Sequence, residues 1–225
     1  MASSVFAKAG FAFSLLMLLA PAQARSWEDF TPRDPSLKQS GHWEWDWDGS
    51  DGLGVSLVGA KVRYVPTLPA RIVITGPDEA LERVRVGQGQ VRWCDNCRAI
   101  KWLEVIVSGV TLHNVALNGA DIDIQLGRLN QDRLSLSLAG TGEIGAAGRV
   151  DRLDASIAGA GNIQMADATV RRANIHIAGS GDVTVSPRDE ANVSVAGSGK
   201  VRMTAMPARL NQSITGSGGV RVTGN

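Results

Sequence analysis

Ile177-Ala178-Gly179-Ser180-Gly181-Asp182-Val183 recurs in closely similar form along the second half of the chain. Before it stand Leu138-Ala139-Gly140-Thr141-Gly142-Glu143-Ile144 and Ile157-Ala158-Gly159-Ala160-Gly161-Asn162-Ile163. After it come Val195-Ala196-Gly197-Ser198-Gly199-Lys200-Val201 and Ile214-Thr215-Gly216-Ser217-Gly218-Gly219-Val220. The first glycines of these copies lie 19, 20, 18 and 19 residues apart, and a fixed period of this length marks a repeat architecture.

Each copy has the same grammar. Apolar residues alternate before the glycines (Ile175 and Ile177, Val193 and Val195) and after them (Ile163 and Met165, Val183 and Val185, Val201 and Met203). Ser, Asn, His, Thr, Gln and Arg stand between, which is the period-two pattern of strands with one buried face. The paired glycines give the chain the backbone freedom of a sharp corner. Polar segments such as Ser186-Pro187-Arg188-Asp189 close each turn. No window carries a 3.6-residue period with helix caps, so a helical solenoid is excluded. Antiparallel meanders do not require the same glycines at every corner. The expected fold is all-β: a right-handed parallel β-helix with rungs of about 19 residues, whose stacked Ile, Val and Leu fill one long core.

The pattern fades toward the N-terminus. Leu117-Asn118-Gly119-Ala120-Asp121-Ile122 reads as a degenerate copy, and Val86-Gly87-Gln88-Gly89-Gln90-Val91 as another. Leu53 to Val65 and Arg71 to Thr75 read as strands, and Asp78 to Arg83 as a helical turn. A solenoid needs its open core end covered, so this irregular region is the expected cap.

Residues 1–24 bound the compartment. Lys8 precedes an apolar run from Phe11 to Ala20, and Ala22-Gln23-Ala24 supplies the small-x-small pattern of a signal-peptidase site. The run is far shorter than the roughly 20 residues of a membrane span. The expected organisation is a signal peptide over 1–24, a Trp-rich cap over 25–50 and the repeat body over 51–225. The whole chain carries 23 Lys and Arg against 22 Asp and Glu, so loss of Lys8 leaves a balanced mature protein. That balance offers no electrostatic footprint for nucleic acid, and no later stretch is apolar enough to span a membrane.

Cys94 and Cys97 flank Asp95-Asn96. In an oxidising compartment a local disulfide across a turn is the expected state, with a redox-active pair as the alternative. The redox reading wants a helix N-terminus after the pair, whereas Ile100 to Val107 reads as a strand.

Val73-Ile74-Thr75-Gly76-Pro77-Asp78, with Leu81 and Val84 and the serial Ala-Gly-Ser-Gly copies, resembles the head GIN domain family of autotransporter adhesins. The resemblance runs from about Gly52 to Val222. It implies a β-helical fold, export and a surface or adhesive role, and it supplies no catalytic residues.

Candidate chemistry is sparse. Asp121 and Asp123 share a strand face, as a glycan-cleaving pair would, but they equally read as the outward residues around Ile122 and Ile124. His42, His113 and His176 fall in unrelated places. The residues that follow the glycine pairs (Glu143, Asn162, Asp182, Lys200 and Gly219) cannot form a calcium ladder. No metal, cofactor or catalytic residue is therefore expected. Trp43, Trp45 and Trp47 alternate with Glu44, Asp46 and Asp48, which puts three indoles on one face. They read either as the cap of the core or as a surface on which sugar rings stack. The expected partners are an envelope glycan or protein, or a second copy stacked on an end rung.

Overall fold

A computed structural model describes residues 30–48, 50–98, 100 and 102–224. The export segment read at 1–24 lies outside them. Thr31 onward forms one compact unit, and it is all-β apart from one short helix, α1 (Asp78–Leu81). In chain order the strands are β1 (Leu37–Gln39), β2 (His42–Asp46), β3 (Gly52–Ser56), β4 (Val58–Val65), β5 (Arg71–Thr75), β6 (Val84–Gly87) and β7 (Gln90–Trp93). They continue with β8 (Leu103–Ser108), β9 (Asn114–Gly159), β10 (Asn162–Gly179), β11 (Asp182–Gly197), β12 (Lys200–Met203), β13 (Arg209–Gly216) and β14 (Gly219–Val222). All fourteen belong to one long sheet, with a main path β1-β2-β5-β8-β4-β9-β10-β11-β12-β14.

Pairing changes character along that path. From β1 through β2 and β5 to β8 the neighbours are antiparallel. From β8 through β4 and onward every pair on the path is parallel. The glycine-marked copies pair in register, so Ile157, Ile177, Val195 and Ile214 stand in one row, with His176 beside Ser194 in the next. Ile175, Ile177, Val193 and Val195 are buried and His176 is exposed, as alternation requires. A one-residue slip would turn every one of these apolar side chains to water. Burying each contributes about 2 kcal/mol. A polar ladder fixes the same register from outside: Asn174 Nδ2 donates to Asp154 at 2.7 Å, Asn192 to Asn174 at 3.0 Å, and Asn211 to Asn192 at 2.8 Å.

The two glycines of a copy do different work. Gly179 has φ of 134°, a conformation that disfavours side chains. Gly181 needs no such φ, yet a Cβ there would sit 2.3 Å from the carbonyl oxygen of Gly161 in the copy before it. Corner geometry together with the Gly159 carbonyl, 2.3 Å from a Cβ, accounts for the first glycine, and close stacking of backbones alone accounts for the second.

Val86–Val91 is not a degenerate copy. It is the turn of an antiparallel hairpin between β6 and β7, with Gln88 and Gly89 both at positive φ (51° and 68°). Left-handed geometry at both central residues makes a tight two-residue turn, which Gly89 adopts without a side-chain penalty. The strand after the cysteines is also shorter than read, beginning at Leu103 rather than Ile100. Cys94 and Cys97 form the disulfide, with Cα atoms 5.5 Å apart.

Candidate functional site

The tryptophan strand faces the core. Trp45 is buried in the hydrophobic cluster, and Trp43 and Trp47 are half-buried against it. Trp43 and Trp45 pack with centroids 6.0 Å apart. The Trp45 indole N–H donates to Arg33 O at 3.1 Å, and that of Trp47 to Ser50 O at 2.7 Å. Lys38 Nζ lies 4.5 Å from the Trp43 ring centroid. The acids on the other face anchor backbone and side chains. Hydrogen bonding from His42, helped by Arg71 at 2.7 Å, holds the Glu44 carboxyl below its ordinary range. Burial pushes Asp48 upward, but hydrogen bonds from Ser50 and from the Gly89 backbone N–H outweigh it and leave the carboxyl lowered. Asp78 is lowered by the Gly41 backbone N–H at 2.6 Å, with Ser40 donating at 2.7 Å.

The outward face of the parallel sheet offers a different site. Ala60 is paired with Leu103 on one side and with Ile122 on the other, so the residues just before them, Trp102, Gly59 and Asp121, sit side by side. All three take left-handed backbone, with φ of 78°, 64° and 57°. The Trp102 backbone N–H is pinned to Gly59 O at 2.8 Å. Two residues further on, a second outward row crosses four strands: Thr75 beside Glu104, Glu104 beside Lys61, Lys61 beside Asp123. Gln125 Nε2 donates to Asp123 at 2.7 Å. Between these rows lies a cleft of about 540 Å³. The Trp102 side chain borders it at 79 % exposure, higher than any other large apolar residue described.

Asp121 and Asp123 thus meet Glu104, Lys61 and Trp102, a grouping that sequence spacing does not announce. Trp102 is the residue that sequence reasoning missed. The signal was present, since alternation through Leu103, Val105 and Val107 sets Trp102 and Glu104 on the opposite face. A shallower groove runs over the corners along Thr141, Ala160, Ser180 and Ser198, and these small side chains give it little chemistry.

A long, mostly parallel sheet with its chemistry confined to outward rows defines an all-β module. The chain belongs to the family described as "Putative auto-transporter adhesin, head GIN domain", whose model matches residues 59–207. Among curated proteins none matches. A solved structure similar to it is a putative adhesin from Bacteroides fragilis NCTC 9343, at 17 % identity and TM-score 0.65, covering 83 % of this chain and 98 % of that one. Another is a putative adhesin from Parabacteroides merdae ATCC 43184, at 15 % identity and TM-score 0.47, covering 86 % of this chain and 100 % of that one. The likeness to the Bacteroides protein is one of fold. No helix among the described residues is long and apolar enough to cross a membrane.

Proposed function

We propose that this chain is an exported, non-enzymatic binding module of the cell envelope. Its body is a right-handed parallel β-helix with rungs of about 19 residues. Within the Trp-rich segment, residues 31–48 cap that body, with Trp43, Trp45 and Trp47 closing the core rather than holding a ligand. The observation that carries this reading is the filling of the interior. Up to the last copy, where Gln212 enters the inward row, the core of the paired copies is filled by Ile, Val, Leu, Met and Ala, so the outward rows remain to meet a partner. Membership of an adhesin family supports the binding role, and the register of the copies supports the helix.

Purified, fluorescently labelled chain is expected to bind intact bacterial or host cells in a saturable way. The absence of saturable binding to any cell surface overturns the reading, as does turnover of a polysaccharide. A second reading, self-association through the last rung, is favoured by β13 and β14. There Ile214 is exposed and Leu210, Val220 and Val222 are only partly covered. Light scattering after gel filtration tests it: a dimer that Ile214→Asp converts to monomer supports self-association, and a monomeric wild type excludes it.

A further inference from the structure

We propose that the cleft beside Trp102 binds a neutral, pyranose-containing oligosaccharide, one sugar face stacked on the indole and its hydroxyls held by Glu104, Lys61 and Asp123. This rests on the binding-module reading and gives it a ligand class.

The first support is the place of the tryptophan. Gly59 takes left-handed backbone without cost, and Asp121 is of a type that tolerates it. A tryptophan is not, and bulky residues in this conformation concentrate at functional sites. Burial does not repay the strain at Trp102, because the side chain is 79 % exposed. Glycine would serve the fold better at this corner, so what the position gains from tryptophan is an open indole face.

The second support is the row beneath it. Glu104 and Asp123 can only accept hydrogen bonds when ionised, and Lys61 between them can only donate. An anionic ligand would be repelled by the three carboxylates of the lining, Glu104, Asp121 and Asp123, and Lys61 in their midst opposes a bare cation. Hydroxyls donate and accept, so a polyol satisfies acids and amine alike, and Thr75 extends the row with a group of both kinds. A pyranose adds the flat C–H face that an exposed indole suits. Glu104 to Asp123 spans two strand spacings, about 10 Å, which is longer than one sugar ring. The cleft, about 540 Å³, falls within the range of pockets that hold small ligands. The match is to a short oligosaccharide rather than a single residue.

The test titrates the full chain with maltohexaose, cellohexaose, chitohexaose and mannohexaose, following tryptophan emission and heat of binding. At least one hexaose should shift the emission to the blue and saturate below about 10 mM. Trp102→Gly should weaken that binding by about tenfold or more. Its thermal midpoint should stay level or rise, because glycine takes this backbone freely. Trp102→Phe should keep part of the affinity, and Lys61→Ala and Glu104→Gln should weaken it at unchanged stability. The proposal is overturned if no hexaose saturates, if only spermine or calcium binds, or if Trp102→Gly binds as wild type. Saturable binding to cells that survives Trp102→Gly overturns this site while leaving the binding-module reading in place. If wild-type protein binds no cell at all, that reading falls instead.

Discussion

On the β1–β2–β5 side of the sheet, Trp45 is 3 % exposed and its N–H is tied to Arg33, with Trp43 and Trp47 packed alongside. On the β13–β14 side, Ile214 is 38 % exposed, and the inward row passes from Val193 to the polar Gln212. The first region is filled by a few large groups: Trp45 and Trp47 each donate to a backbone carbonyl, and Trp43 lies against Lys38. The second grows by near-identical steps in which glycine backbones come too close to admit a Cβ. One kind of order depends on particular side chains and the other on sameness between neighbours. Damage to the first should stay local, and damage to the second should unpin whole strands.

The largest effect is expected inside the copies. Val195→Asp would bury a charge between Ile177 and Ile214 and should cost about 4 kcal/mol, while Ser194→Asp should cost less than about 1 kcal/mol. Urea midpoints measure both, and equal losses would show that the inward and outward rows are wrongly assigned. Next comes Trp45→Ala, expected to cost about 3 kcal/mol. Hydrogen exchange should place the loss in β1, β2 and β5, with β10 to β12 still protected. Exchange that quickens evenly through the sheet would erase the distinction between the two regions.

Third, Gly179→Ala should cost more than about 1 kcal/mol, since it meets both an unsuitable φ and the Gly159 carbonyl. Gly181→Ala should cost a similar amount from contact alone. Gly127→Ala is the control, because a Cβ there meets nothing within 4 Å. A thermal midpoint for Gly127→Ala as low as for the other two would remove the stacking explanation.

The smallest effect concerns acid. Glu44, Asp48 and Asp78 have folded pKa values below their ordinary ones. The stability each adds is therefore complete above the unfolded value, near pH 4, and is lost as pH falls through the folded value. Protection of the Gly41 and Gly89 amides, which bond Asp78 and Asp48, should drop below about pH 4. Constant protection factors down to pH 2 would show that these carboxylates do not hold the Gly41 and Gly89 turns.

The copies were legible because their information is local and repeated. Alternation names the inward residues, the glycines mark the corners, and Ile177 beside Val195 follows from the spacing alone. The antiparallel side was less so. The hairpin at Val86–Val91 borrows the Gly-x-Gly spelling for an unrelated turn, and its antiparallel pairing with positive φ at Gln88 and Gly89 tells them apart. The cleft was the least legible. Thr75, Glu104, Lys61 and Asp123 become neighbours through pairing among β5, β8, β4 and β9, which no short motif records. That Asp121 and Asp123 share a face was readable, but what stands opposite them was not.

The strand order carries a mechanical consequence. The main path of the sheet begins at β1 and ends at β14, so tension between those edges acts across the strands, along the inter-strand hydrogen bonds. Such a pull does not shear many bonds together but opens them one strand pair at a time. Each released copy would pay out a further length of about 19 residues, and on slackening it would find its register again from the neighbour still in place. A tether of this construction yields in small equal steps instead of breaking at once.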